Sequence, residues 1–244
     1  MVNSLLEALL AGLFPDYCAL CGLRSCRTLP LCQACEQDLH PNDSCCYRCA
    51  IPLPLPGPLS TETLCGNCLQ APPPFDRVVA PWLYCELLAH LIQRWKFHAE
   101  QRLTPLLASL WLGGFEEVPQ VDVLIPVPLH WRRLWSRGFN QSELLCRQLR
   151  SSSAVVSMAK LDHRSVKRSR ATQAQSSISA AQRRANLKGA FTAIERYDNL
   201  RVAIVDDVFT TGATAAELAT TLRSAGADHV EVWCLARTPG PGYS

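Results

Sequence analysis

Apolar positions follow two rhythms along the chain, separated by a stretch with none. Near the start, Leu5, Leu6, Leu9, Leu10 and Leu13 fall on one stripe at helical spacing, predicting a short amphipathic helix packed on the protein. Seven of the 17 prolines then lie between Pro52 and Pro74, ending in Pro72-Pro73-Pro74, a run that continues neither a helix nor a central strand. A boundary is expected near Phe75, dividing the chain into residues 1–75 and 76–244. Beyond it, strand and helix patterns alternate. Arg77–Tyr84 reads as a strand, Leu87–Phe97 as a helix with Leu87, Leu88, Leu91 and Trp95 on one face, and Leu103–Trp111 as a second helix. Val121–Val127 reads as a buried strand, followed by a loop and a helix over Ser142–Leu149. The pattern closes with a strand at Arg201–Val205, a helix from Thr214 to Ala225 and a last strand at Val230–Leu235. Such alternation predicts an α/β fold with a mostly parallel sheet and helices on both faces.

Composition changes this picture at one end. Of 13 cysteines in 244 residues, ten lie in the first 68. Crowding of that kind points to a small metal-bound module ahead of an ordinary domain rather than to a secreted disulfide framework. Four Cys-x-x-Cys knuckles are legible: Cys18/Cys21, Cys32/Cys35, Cys46/Cys49 and Cys65/Cys68. The two-residue gap lets both thiolates of a knuckle reach one ion, and two knuckles complete a tetrahedral four-cysteine zinc site. Pairing in chain order gives spacers of ten and fifteen residues. Cys26 and Cys45 are spare, and the neighbouring Cys45 and Cys46 leave the choice of ligand open at that knuckle. Four thiolates leave no open coordination position, so two structural zinc ions are expected, contributing on the order of 10 kcal/mol of folding energy per site. No segment approaches the roughly 18 consecutive apolar residues of a membrane helix. The apolar start has no Lys or Arg before it and is broken by Glu7, a poor secretory signal. A cytoplasmic chain without membrane insertion is expected.

The net charge is only +3, but His130–Lys188 holds 13 basic and two acidic residues, a block of +11. A block like this is the footprint of a phosphate-rich partner, small molecule or nucleic acid, unless it is a solvated loop and helix face. One stretch favours the small molecule: Val202-Ala203-Ile204-Val205-Asp206-Asp207-Val208-Phe209-Thr210-Thr211-Gly212-Ala213-Thr214. An apolar strand carries two acids to its carboxyl end, where open α/β sheets bind ligands. A hydroxyl-rich turn then opens a helix whose amides favour an anion. Acids beside a phosphate cradle suit a sugar phosphate with free vicinal hydroxyls.

These thirteen residues resemble the loop of type I phosphoribosyltransferases that binds phosphoribosyl diphosphate (PRPP). The resemblance implies that Asp206 and Asp207 hold the ribose hydroxyls, and that Thr210, Thr211, Gly212, Ala213 and Thr214 hold the 5′-phosphate. A second stretch is more specific. Ile125-Pro126-Val127-Pro128-Leu129, Arg132 or Arg133, and Arg137-Gly138-Phe139-Asn140-Gln141 resemble the signature of the ComF family. Lys96 and the spaced Arg164, Arg170, Thr172, Gln175, Arg184, Asn186 and Phe191 are similar to that family's pattern, as are the four knuckles. The resemblance implies Mg²⁺–PRPP or a related nucleotide as ligand, Arg137, Asp206 and Asp207 as catalytic residues, and Gly138, Asn140 and Gln141 at the substrate. Residues 160–188 fall where phosphoribosyltransferases carry a loop that closes over the site. No hood-like segment for an acceptor base is legible, so the acceptor stays open. The family also implies a link to natural competence, DNA uptake and DNA utilization. A second reading follows: a non-catalytic adaptor that contacts single-stranded DNA, a helicase or another competence protein, with the PRPP site as a sensor. Trp131, Trp135 and Phe139 interleave with Arg132, Arg133 and Arg137, as base-stacking platforms require; packing is the plain alternative for the same aromatics.

Overall fold

The computed structural model describes residues 17–54, 63–169 and 187–240. The leucine stripe Leu5–Leu13 lies outside the described residues, as do Arg170, Thr172, Gln175, Arg184 and Asn186. Two one-turn helices follow knuckle cysteines, α1 (Gln33–Gln37) after Cys32 and α2 (Gly66–Gln70) after Cys65. The chain then enters β1 (Arg77–Val79), β2 (Trp82–Leu83), α3 (Glu86–Phe97), α4 (Thr104–Gly113) and β3 (Val123–Pro126). Next come α5 (Trp131–Arg137), α6 (Gln141–Ser152), the single turn α7 (Ala154–Ser157) and the short strands β4 (Lys160–Leu161), β5 (Val166–Arg168) and β6 (Phe191–Ala193). The described chain finishes with β7 (Arg201–Phe209), α8 (Ala213–Ser224) and β8 (His229–Arg237).

The main sheet runs in the order β1-β8-β7-β3-β4, with β2 also paired to β8, and every ladder in it is parallel. β5 and β6 form a separate antiparallel pair. Apolar runs in the central strands divide between two faces because successive side chains point opposite ways. Leu124, Ala203, Val205, Trp233 and Leu235 pack under α3, α4 and α6; Val123, Ile125, Val202, Ile204, Val230 and Val232 pack under α8. In α3 the buried Leu88, Leu91, Ile92 and Trp95 recur at helical spacing, each stabilising the fold by about 1.5–3 kcal/mol. The cysteine-rich part shares these cores. Leu31 and Leu39 join the first face, whereas Ala50 and Phe75 join the second, where Phe75 meets Phe209 edge-on at 5.8 Å.

Three elements differ from the sequence expectation. The strand expected over Arg77–Tyr84 is two strands interrupted at Ala80-Pro81, because proline has no N–H for a ladder. The carbonyls freed there accept from Asn42: Ala80 O from Nδ2 at 3.1 Å and Pro81 O from the amide at 2.8 Å. The loop expected after Val127 contains α5, opened by His130 Nδ1 accepting from the Arg132 amide at 3.3 Å and closed by Gly138 at φ 81°. Its Trp131, Leu134 and Trp135 sit at i, i+3 and i+4, but the face they form is exposed. Third, β7 runs four residues beyond Val205. β8 pairs with it as far as Phe209↔Arg237, whereas β3 stops at Pro126↔Val205. Asp206 and Asp207 thus occupy a strand with a partner on one side only.

Candidate ligand site and cysteine clusters

The gap left where β3 ends is filled by polar side chains from α3 and α6. Lys96, at the end of α3, places Nζ 2.7 Å from Asp207 Oδ1. Gln141, at the start of α6, donates from Nε2 to Asp207 Oδ2 at 2.9 Å and accepts at Oε1 from Arg137 Nη1 at 2.6 Å. A continuous chain Arg137–Gln141–Asp207–Lys96 results, with Asp207 and Gln141 buried. Asp206 is half-buried beside it. Its Oδ1 accepts from the Asp207 amide at 2.9 Å and, at 3.5 Å, from Ser142 Oγ. Burial first, and then the Asp207 charge, push the Asp206 carboxyl up to about 7, against the opposing pull of Lys96. Arg137 is pulled down by burial, with Asp207 acting in the other direction. Lys96, Phe97, Ala99, Arg133, Ser136 and Arg137 line an adjoining cleft of about 420 Å³. The Arg137 guanidinium sits 5.3 Å over the exposed Phe97 ring.

The turn after β7 leads straight into α8. Thr210 and Thr211 are exposed, Gly212 stands at φ 72° as the N-cap, and Thr211 Oγ1 accepts from the Ala213 amide at 3.5 Å. A Cβ on Gly212 would fall 2.5 Å from the Phe209 ring, so both space and backbone conformation call for glycine. The other first-turn amides of this twelve-residue helix suit an anion.

Not every expected substrate residue faces this cleft. Asn140 uses Oδ1 to cap α6 at the Ser142 amide, 3.0 Å away, and Nδ2 to donate to Val127 O at 3.1 Å. Gly138 ends α5, its amide donating to Leu134 O at 2.8 Å. Phe139 is buried, as the packing alternative has it, whereas Trp131 and Trp135 are 63% and 87% exposed. Phe191 is buried on β6, with the Arg168 guanidinium 5.6 Å over its ring. Two residues at the site carried no sequence signal. Ser142 looked like an ordinary helix start. Arg168 stands close enough to feel both Arg133 and Asp206, although burial is the larger influence lowering its pKa.

The knuckle cysteines gather as two groups, Cys18/Cys21/Cys32/Cys35 and Cys46/Cys49/Cys65/Cys68, with all ligand atoms of a group within 4.8 Å of one another. A tetrahedral four-thiolate zinc site has S···S edges of about 3.8 Å. The Sγ atoms of Cys21 and Cys32 are 3.8 Å apart and those of Cys49 and Cys65 3.7 Å, so both donor sets fit zinc. The grouping also selects Cys46 over Cys45. The Cys46 thiol is held down at about 4, chiefly by the Cys49 side chain, with the Cys65 amide donating to its sulfur at 3.2 Å.

The fold and these sites define a class: a two-cluster zinc ribbon built onto a parallel α/β domain that presents an acid pair at a strand end. Comparison with known proteins agrees. A family model for the double zinc ribbon domain matches residues 9–69. The chain is 37% identical over 231 residues to DNA utilization protein YhgH of Salmonella typhi, covering 92% of this chain and 98% of the relative. It is 38% identical over 182 residues to Competence protein F of Haemophilus influenzae, covering 71% and 78%. Among solved structures, the glutamine PRPP amidotransferase of B. subtilis complexed with ADP and GMP matches with 21% identity and a TM-score of 0.34, over 56% of this chain and 26% of that one. With relatives this similar over nearly its whole length, the chain belongs to the ComF family of competence F and DNA utilization proteins. Among the described residues no helix is long and apolar enough to cross a membrane.

Proposed function

We propose that residues 76–244 bind Mg²⁺–PRPP or a related nucleotide at the end of β7, and that residues 1–75 carry two structural zinc ions. The observation that carries this reading is the chain Arg137–Gln141–Asp207–Lys96 beside Asp206, followed directly by the turn that opens α8. Asp206 and Asp207 would take the ribose hydroxyls, and Thr210–Thr214 the 5′-phosphate. Binding a hydroxyl-rich sugar there replaces Lys96 at Asp207 with neutral donors and frees that cation for phosphate. If transfer follows, a nucleophile forms a bond to the anomeric carbon as the C–O bond to diphosphate breaks, and the electron pair leaves with the diphosphate. Arg137 and Arg133, lining the cleft, would stabilise the charge that develops on it. In its biological setting we place the activity in DNA utilization, from the names of the relatives.

Calorimetric titration of the zinc-loaded chain with Mg²⁺–PRPP tests this reading, with Asp206→Asn/Asp207→Asn as control. Saturable binding by the wild type that the double variant loses is expected; no binding by the wild type removes the proposal. Binding without diphosphate release on any base would favour the sensor over the transferase. A second reading, as adaptor on single-stranded DNA, is favoured by one observation: Trp131 and Trp135 stand exposed beside Arg132, whose guanidinium lies 5.2 Å over Trp131. Salt-dependent single-strand binding that survives the acid-pair change and falls in Trp135→Ala would support it.

A further inference from the structure

We propose that Arg237 is a positioning residue through which the second cysteine cluster sets the shape of the turn after β7; the inference rests on the phosphate-binding reading of that turn. Arg237 ends β8 and is only 8% exposed. Its guanidinium reaches in two directions. On one side Nε donates to the backbone carbonyl of Cys49 at 3.0 Å. On the other Nη1 donates to Thr210 O at 2.9 Å and Phe209 O at 3.2 Å, and also bonds Thr238 O. The same guanidinium lies 5.1 Å over the Phe209 ring, the ring against which Gly212 rests. One side chain therefore holds the backbone that enters the turn and the surface that backs its glycine.

The Cys49 end is held by the second four-thiolate group together with the neighbouring Ala50, which is buried in the second core. Cys49 belongs to the second four-thiolate group, and its carbonyl precedes Ala50, which sits at φ 52° in a tight turn closed by Ala50 N donating to Cys46 O at 2.8 Å. Zinc bound by the four sulfurs fixes that turn and so the direction of the Cys49 carbonyl. When the thiolates are not held together, the carbonyl is released, and a buried guanidinium loses a partner it cannot replace with water. The planar fork makes this link specific to arginine, since a lysine ammonium spans one of the two directions but not both. Coupling through the link is reciprocal: whatever tightens the turn also raises the zinc affinity of the second cluster.

Arg237→Gln, Arg237→Lys and Cys65→Ser, each in the full zinc-loaded chain, test the link by amide hydrogen exchange. Zinc content and Mg²⁺–PRPP affinity are measured alongside. Arg237→Gln is expected to keep both zinc ions, to speed exchange at least tenfold in a peptide covering residues 206–214, and to leave residues 104–113 of α4 unchanged. Affinity for Mg²⁺–PRPP should weaken about tenfold, with partial recovery in Arg237→Lys. Cys65→Ser, which takes zinc from the second cluster only, should speed exchange in the same peptide and carries the test if Arg237→Gln does not fold. Unchanged exchange over 206–214 in a zinc-loaded Arg237→Gln overturns the proposal, as does acceleration that is equal over 206–214 and 104–113. Failure of the wild type to bind Mg²⁺–PRPP would remove the phosphate-binding reading, and the exchange data would still decide the link.

Discussion

Asp206→Asn should make the unliganded protein more stable while abolishing the proposed Mg²⁺–PRPP binding. The Asp206 carboxyl is lifted from its ordinary 3.8 to about 7, so the folded state holds its proton longer than the unfolded state does. Stability contributed by this group is therefore lost as pH rises between about 4 and 7. From those two values the penalty is about 2 kcal/mol at pH 5 and about 4 kcal/mol at pH 8. Asparagine keeps an oxygen for the Asp207 amide, the bond seen at 2.9 Å, and never ionises, so the variant escapes the penalty. Thermal unfolding of wild type and variant, both zinc-loaded, should differ about half as much at pH 5 as at pH 8. For a chain of this size, 2–4 kcal/mol corresponds to roughly 4–16 °C in Tm. Calorimetry at pH 8 should show the stabilised variant with Mg²⁺–PRPP binding lost, as expected when a site stores electrostatic strain for its ligand. A stability gain that is flat with pH, or larger at pH 5 than at pH 8, would refute the reasoning.

Three further outcomes follow from the same geometry. Lys96→Met strands the buried Asp207 carboxylate without the cation now 2.7 Å away; it should cost about 3–5 kcal/mol, much of which Asp207→Asn in the same chain restores, measured by denaturant unfolding. Gly212→Ala should lower stability by about 1–3 kcal/mol, and by more than Gly189→Ala. Both glycines have positive φ, but only Gly212 has a ring 2.5 Å from the new Cβ, whereas Gly189 has open space. Zinc withdrawal by a chelator removes on the order of 10 kcal/mol per cluster. It should abolish the cooperative transition followed by fluorescence of the buried Trp95, Trp111 and Trp233, and an unchanged Tm after metal removal would argue against structural zinc.

Much of the molecule was legible because its determinants are local in the chain. Two-residue gaps between cysteines and the order of the knuckles pointed to two groups of four thiols, the grouping the structure shows. Continuous apolar runs at Val123–Pro126 and Val202–Val205 marked central strands of a parallel sheet, and the acid pair with its hydroxyl-rich turn marked the strand end where Lys96 and Gln141 gather on Asp207. The helix Trp131–Arg137 had a signal too, an apolar i, i+3, i+4 stripe ended by glycine, but none of its seven residues is buried.

Other features depend on partners far away in sequence. Which residues of β7 stand open was decided by where β3 stops, at Pro126. The choice of Cys46 over Cys45 was decided by which sulfur faces Cys49, Cys65 and Cys68. Gln141 and Asn140 are neighbours in one motif, yet one bonds the acid pair and the other caps its own helix, because α6 turns them in different directions. Arg237 lies 188 residues from Cys49 and 27 from Thr210, and no spacing rule joins three such positions. By itself the sequence determined which chemistry the chain carries, zinc-binding thiols and an acid-and-hydroxyl turn, because those patterns are written within a few residues. Only the tertiary structure decided which side chains complete each site, because hydrogen bonds and burial act between groups that folding, not chain order, brings within reach.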